Sequence, residues 1–457
     1  VLWTRANLDP EIVYADLGNY MISFNEPGYT ADSVVFHHEQ LLNEPALGSF
    51  EERISQIRTP DQATYPKFFS YQSSYVLNDI VEGVDYRGAI SMQGANLVGQ
   101  AAAGNNAELT INQDDTVRIR LKSKQFLFGQ NSIKTNNAEV SIYLEDDSIY
   151  HPDLIMNYEI SREIMRLTKS KDFNSRGPFS NSYHRIDMSF DELSWVRSES
   201  LMKLQPSLGS SLGNGLFESY DYFDLAFYES LQGMDYQNPL ADLWAYSNMI
   251  GFETFSVEGY ASYMGKTAYT FRHLFMELSK LGFLYFDFEM DEVTLRPKLY
   301  DYIDASLMKR DYDVISFISR TDGGKENAEL DLNTRDLTIN GIPTIFLSDS
   351  QNVQIVPRNN RIVMKRNRDF QFDGIIDAGL FKFYGNNFFF EYENFRVNLQ
   401  NIDSLSISAK TAEKDAFGKS LITTLDNKIQ NITGELLIDA PFNKSGMTPF
   451  PEFLCLF

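Results

Sequence analysis

Asn106-Ala107-Glu108-Leu109-Thr110-Ile111, Asn137-Ala138-Glu139-Val140-Ser141-Ile142 and Asn327-Ala328-Glu329-Leu330-Asp331-Leu332 share one frame, polar and apolar residues alternating. Period two sends successive side chains to opposite faces of a strand, so each stretch predicts a strand with one face turned inward. Short second runs follow at Asp115-Thr116-Val117, Asp147-Ser148-Ile149 and Asp336-Leu337-Thr338. The recurring unit is therefore a pair of short strands around an Asp- or Asn-bearing corner. A second pattern runs from Tyr86-Arg87-Gly88 to Gly94 and from Phe372-Asp373-Gly374 to Gly385. In both, an aromatic precedes a glycine and a later glycine closes an alternating run, which suits bends between neighbouring strands. These patterns predict two β-rich modules, 1–160 and 319–445, of stacked short strands in a solenoid-like or jelly-roll arrangement.

Between the modules the period changes. Residues 161–235 read as an irregular connector that includes the Ser/Gly tract 207–215, and 236–318 reads as helical. Pro239 stands near a helix start, with Leu240, Leu243 and Trp244 at helical spacing. Ser256 is placed to cap a short helix ending at Gly265, and a further helix carries Phe271, Leu274, Phe275, Leu278 and Leu281 along one face before Gly282. Two short strands around Asp291-Glu292 and a last helix complete the order of a winged helix. The predicted fold is thus multidomain α+β, two β-rich modules flanking a winged-helix-like module, with a tail at 446–457.

A winged helix invites a DNA-binding reading, with Lys266, Tyr269, Arg272 and His273 as its contact surface. Charge opposes it. The chain has 457 residues, 40 Lys and Arg against 63 Asp and Glu, and a net charge of −23, which repels phosphate backbones and anionic lipid. The wing itself carries Asp287, Glu289, Asp291 and Glu292. The four residues therefore predict a contact with protein, and nucleic acid is excluded as a partner. One patch departs from the global sign: Arg358, Arg361, Lys365, Arg366 and Arg368 concentrate positive charge, as a site for an anionic ligand or acidic partner, or as charges that blunt an exposed strand edge.

Residues of catalytic type do not form a diagnostic constellation. His37-His38-Glu39 offers two side chains on one strand face, short of a metal site. His151 reads as a turn residue and His184 as a polar contact. Glu391 and Glu393 share a strand face, and Glu145, Asp146 and Asp147 form an acidic corner, but neither set has the spacing of a catalytic pair or a calcium loop. Tract 207–215 lacks the Lys-Ser/Thr ending of a phosphate loop. Cys455 is the single cysteine, so no disulfide forms within the chain. No cofactor or metal is implied, and no apolar run reaches the length of a spanning helix.

Lys309-Arg310-Asp311-Tyr312-Asp313-Val314, Ile345 to Gln351, Lys365 to Phe370 and Leu437 to Gly446 resemble a family of very large, uncharacterised exported proteins of Bacteroidota bacteria. Asp147 to Pro152 and Asn181 to His184 fit the same resemblance. It implies an internal segment of a longer envelope protein, periplasmic or at the cell surface; the start at Val1 without a signal segment and the apolar end agree with that expectation. The leading expectation is a non-enzymatic structural or interaction protein of the cell envelope, an elongated scaffold with a protein partner. The first rival is a polysaccharide-binding or polysaccharide-processing protein, with glycan held by Phe388, Phe390 and Tyr392. The second is a lipid conduit with a hydrophobic β groove.

Overall fold

A computed structural model describes residues 3, 6, 8–42, 44–53, 63–101, 106–114, 116–170, 176–206, 212–233, 237–288, 290–322, 324–414, 420–424, 429–448 and 453–456. Contacts divide the chain into two compact units: Val1–Asp146, Tyr150–Ser170 and Ser194–Glu199 form one, and Asp147–Ile149, Lys171–Leu193 and Ser200–Phe457 the other.

In the first unit the alternating strands close on themselves. Val84–Gln93, Asn96–Gln100, Gln125–Phe128, Ser132–Leu144, Thr116–Ser123 and Ala107–Gln113 each pair antiparallel with the next, and the last pairs with the first, giving a six-strand barrel. Closure removes the exposed edges that an open sheet of this size would leave. Two copies of the repeated stretch flank one strand in the same register: Leu121 faces Leu109 and Val140, and Lys122 faces Glu108 and Glu139. Ala107, Leu109, Ile111, Ala138, Val140 and Ile142 are all buried, as period two requires. Tyr86 fills the interior, in edge contact with Phe126 and Phe128. Its ring lies over Gly99, where an added Cβ would come within 2.6 Å of it. Outside the barrel, Val13–Asp16, Gly28–His38, Ala46–Arg53 and Lys67–Ser70 extend the antiparallel order from Val84–Gln93. Asp115 lies outside the described residues.

In the second unit, strands Leu212–Ser219 and Ser316–Asp322 pair antiparallel from Leu212 opposite Asp322 to Glu218 opposite Ser316. All five α-helices of the described residues lie between them, so the helical segment is an excursion from one hairpin. It contains α1 (Leu225–Gln232), α2 (Pro239–Ile250), α3 (Val257–Met264), α4 (Ala268–Lys280) and α5 (Pro297–Ser306), with a small sheet of Thr254–Ser256, Glu292–Leu295 and Leu284–Asp287. The side chains of Asn238 and Ser256 cap α2 and α3, and Gly251 and Gly265 end them in the left-handed conformation. Tyr260, Phe271, Phe275, Leu278, Phe283 and Tyr302 form part of one buried core. Burying a side chain such as Phe275 contributes about 1.5–3 kcal/mol. From Ala328 onward the chain is an antiparallel meander: Ala328–Asp331, Leu337–Asn340, Arg361–Met364, Phe370–Ala378, Phe381–Glu391, Arg396–Lys414 and Ile429–Leu437 are neighbours in that order.

The expected α+β class is corrected. Among the described residues the protein is mostly β, 54% strand against 16% helix, with five α-helices and a large sheet that includes the barrel, and it is not a balanced α+β fold with a winged-helix module. The helices extend one β-hairpin whose strands find each other across the whole insertion, a pairing with no local signature. Solenoid-like and jelly-roll stacking give way to a closed barrel and an antiparallel meander. Residues 161–235 are more regular than a connector: strands Ile164–Thr168, Phe179–Asn181, Ile186–Ser189, Glu192–Val196 and Leu201–Gln205 run through them. Of the Ser/Gly tract, 207–211 lies outside the described residues and the remainder is strand, where Gly213 and Gly215 make room for Thr321 and Asn327.

Candidate functional site

The five clustered cations do not form a common patch. Strand Arg361–Met364 has a neighbour on each side, Leu337–Asn340 and Phe370–Ala378, so it is internal and the edge-blunting reading is corrected as well. Alternation along the strand and two left-handed turns at Asn359 and Asn367 scatter the side chains. Lys365 pairs with Asp336, Arg366 with Asp147 at 3.2 Å, and Arg358 donates to Asn386 Oδ1 at 2.5 Å. Arg361 is exposed, and Arg368, 3% exposed, points into the protein.

Arg368 ends in a buried network that joins three of the sequence stretches singled out above. Its guanidinium donates to Asp221 Oδ2 and to Ser219 Oγ, and lies 3.8 Å from Asp313. Asp313 Oδ2 accepts from Ser219 Oγ at 2.6 Å and from Tyr392 Oη at 2.7 Å, while its Oδ1 accepts from the Ile315 N–H at 2.8 Å. Burial pushes the Asp313 carboxyl up to about 6 against these donors. Burial also opposes the charge on Asp221, but Arg368 and Arg310 overcome it and hold that carboxyl below its ordinary value. Arg310 bridges Asp221 and Asp301. Asp311 Oδ2 accepts from the Lys444 N–H at 2.7 Å, and its Oδ1 from Ser445 Oγ at 2.6 Å, tying segment 437–446 to 309–314. The Lys444 ammonium lies 4.9 Å from the Tyr392 ring centroid. Ile345 to Gln351 meets the same C-terminal segment through Gln351 Nε2 and Asp439 Oδ2, 3.1 Å apart.

Every charged group of this network faces an opposite charge, a hydrogen-bond donor or an aromatic face. Its chemistry is that of a clasp.

A second set of ion pairs fixes the helical insertion to the sheet. Arg296 forks onto Asp187 at 2.8 and 3.1 Å, donates to the Gly282 carbonyl at 2.7 Å, and is nearly fully buried. Lys298 pairs with Glu218 and donates to the Leu281 carbonyl at 2.9 Å. These anchors were not legible in the sequence: Asp187 and Glu218 stand far from Arg296 and Lys298 in the chain, and nothing in their local pattern marks them.

Of the four helical contact residues, Lys266, Tyr269 and His273 are exposed, Tyr269 by 83%. Arg272 is committed, forking onto Asp291 with two bonds of 2.9 Å. That fork holds the tip of hairpin 284–295 against α4, where Phe288 and Met290 are 52% and 64% exposed. Tyr263, at the end of α3, is exposed as well. Side chain Glu289 lies outside the described residues.

The remaining candidates resolve into structural contacts. His37 stacks on Tyr14 at 4.3 Å and lies near Asp16 and Glu39, and burial lowers the pKa of His38. Among the described residues no three His, Cys, Asp or Glu side chains converge as a metal site. His151 Nδ1 accepts from the Asp153 N–H at 3.1 Å. His184 is fully buried between Asn181 and the Arg335 carbonyl, and burial pushes its pKa down to about 3. Glu391 is held below its ordinary pKa by hydrogen bonds from Arg396 and Asn394, which suits an ion pair rather than a general acid, and Glu393 is exposed. Asp147 is taken by Ser182 and Arg366. Phe388, Phe390 and Tyr392 are buried, so they line no sugar groove. An open depression lined by Asn398, Leu399, Gln400, Thr433, Gly434 and Glu435 holds one titratable group, Glu435, already paired with Arg396.

No helix among the described residues is long and apolar enough to cross a membrane. No protein-family profile matches the chain, and no curated protein matches it significantly. The class that the fold defines is a mostly β protein with a barrel and a helical insertion.

Proposed function

We infer that this chain is a non-enzymatic structural or interaction protein, a β scaffold that presents its helical insertion to a protein partner. One observation carries the reading: an exposed surface of Tyr269, His273, Phe288 and Met290, braced by the Arg272–Asp291 fork, sits on an insertion anchored to the sheet by Arg296–Asp187 and Lys298–Glu218. Exposed aromatic and Met side chains on a rigid mount are what protein interfaces use as anchors. The buried ionic groups serve the mount, and no convergent catalytic set stands apart from them among the described residues. Placement in the bacterial envelope, as part of a longer exported protein, rests on the sequence resemblance alone.

A photo-crosslinking residue at Tyr269 in native cells tests this, with the exposed Arg87 of the barrel region as control position. A single adduct of defined mass from position 269, absent from position 87 and lost on Met290→Ser, is expected. Equal crosslinking from both positions, or none from 269, overturns the reading.

A further inference from the structure

Strand Asn19–Ile22 borders the first unit's sheet on one side only. It pairs with Gly28–His38, from Asn19 opposite Asp32 to Ile22 opposite Tyr29, and no second strand neighbours it among the described residues. Its outer side therefore presents alternate N–H and C=O groups as a template for another strand. Sheet edges are ordinarily blunted by Lys, Pro or an inward charge. Here the strand reads Asn-Tyr-Met-Ile, with Tyr20 64%, Met21 74% and Ile22 55% exposed, and Phe24 of the following turn stands fully in solvent. A β-bulge in Gly28–His38 between Ala31 and Val34, with Ser33 in the left-handed conformation, separates this edge from that of Val13–Asp16.

The surroundings select the occupant. Asp16, Glu26 and Asp32 are exposed around the strand, Glu51 lies on the next strand but one, and the local cation Arg53 is engaged by Glu51 at 2.8 Å and by Glu26 at 3.8 Å. An extended segment that alternates apolar with Lys or Arg residues matches both features: its apolar side chains cover Tyr20 and Ile22 or Met21, and its cations meet the acidic rim. We propose that the edge Asn19–Ile22 is a β-augmentation site that accepts a basic, apolar-alternating strand from a partner protein.

The probe is a labelled eight-residue peptide alternating lysine and valine, titrated against the full chain by fluorescence anisotropy, with a glutamate–valine peptide and a lysine–valine peptide carrying a central proline as comparisons. Saturable binding of the first peptide is expected, at least tenfold weaker for the other two, with slowed amide exchange at residues 19–22. Tyr20→Lys/Ile22→Lys, whose side chains are already exposed, weakens it tenfold or more while the circular dichroism spectrum stays unchanged. Equal binding of the proline peptide, which marks charge attraction alone, overturns the proposal. So does binding without protection at 19–22, or a Tyr20→Lys/Ile22→Lys effect confined to self-association of the chain or to its binding of zwitterionic lipid vesicles.

Discussion

The guanidinium carbon of Arg368 lies 3.5 Å from the centroid of the Tyr392 ring, while the hydroxyl of that tyrosine donates to Asp313 at 2.7 Å. One residue thus offers its face to a cation and its hydroxyl to the neighbouring anion, so the ring separates and joins two buried charges. Arg368 holds this place with φ +69, a left-handed backbone that a side chain bearing Cβ adopts at a cost. The ion pairs to Asp221 and Asp313 offset that cost.

Removing one partner should therefore be severe. Arg368→Met leaves Asp221 and Asp313 buried without their shared cation, a loss of about 3–5 kcal/mol. Tyr392→Phe removes one donor to Asp313 and costs about 1–3 kcal/mol. Urea midpoints of the two single variants and the double variant check this. The expected double-variant loss is smaller than the sum, because both act on Asp313; strict additivity would show that the network is not a unit.

Arg296 and Asp187 predict a local response. Asp187→Asn leaves a buried guanidinium with a neutral partner, and the insertion should loosen on its mount while the barrel of the first unit is unaffected. Hydrogen exchange should accelerate in α4 and α5 and stay unchanged across 107–123. Acceleration spread evenly over the chain would contradict this.

His184 predicts a pH dependence whose sign follows from its depressed pKa. Folded, it titrates at about 3 because burial disfavours the cation; unfolded, it titrates near its ordinary 6.5. Between these values the unfolded chain binds a proton that the folded chain refuses, so stability is full above about 6.5 and declines as pH falls toward 3. His184→Gln lowers the urea midpoint at pH 7.5, and the gap from the parent should narrow by pH 4.5. A gap independent of pH would mean that the ring is not neutral in the fold.

The local signals were legible and the long-range ones were not. Pro239 marks the start of α2 through its fixed backbone, and Ser256 and Gly265 mark the ends of α3 through side chain and backbone freedom, so both helices can be read from a few neighbouring residues. Alternation at Ala107-Leu109-Ile111 marks an inward face for the same reason. The pairing of Leu212–Ser219 with Ser316–Asp322 carries no such mark, and without it the insertion resembles a free-standing module. The cluster 358–368 misleads likewise: Asp147, Asp336 and Asp221 neutralise three of its cations from distant parts of the chain. A charge cluster in sequence is a patch only if alternation and turns leave its members on one face.

Gly99 carries the last prediction. Strand Asn96–Gln100 is paired on both sides within the barrel, where a β-branched residue would ordinarily be favoured and glycine disfavoured. The reason for glycine is Tyr86: its ring atoms lie 2.6 Å from where a Cβ on residue 99 would stand, and its hydroxyl donates to the Ala89 carbonyl at 2.6 Å. The ring has no room to retreat, since Phe126 and Phe128 meet it edge-on. Gly99→Ala should thus destabilise by about 1–3 kcal/mol through overpacking, despite its better backbone propensity. Tyr86→Leu in the same chain should recover part of that loss, because it withdraws the atoms that clash, while Tyr86→Leu alone opens a cavity and costs about 2–4 kcal/mol. A double-mutant cycle in urea measures the coupling; a Gly99→Ala chain as stable as the parent, or one that Tyr86→Leu does not rescue, would show that the barrel interior is not filled in this way.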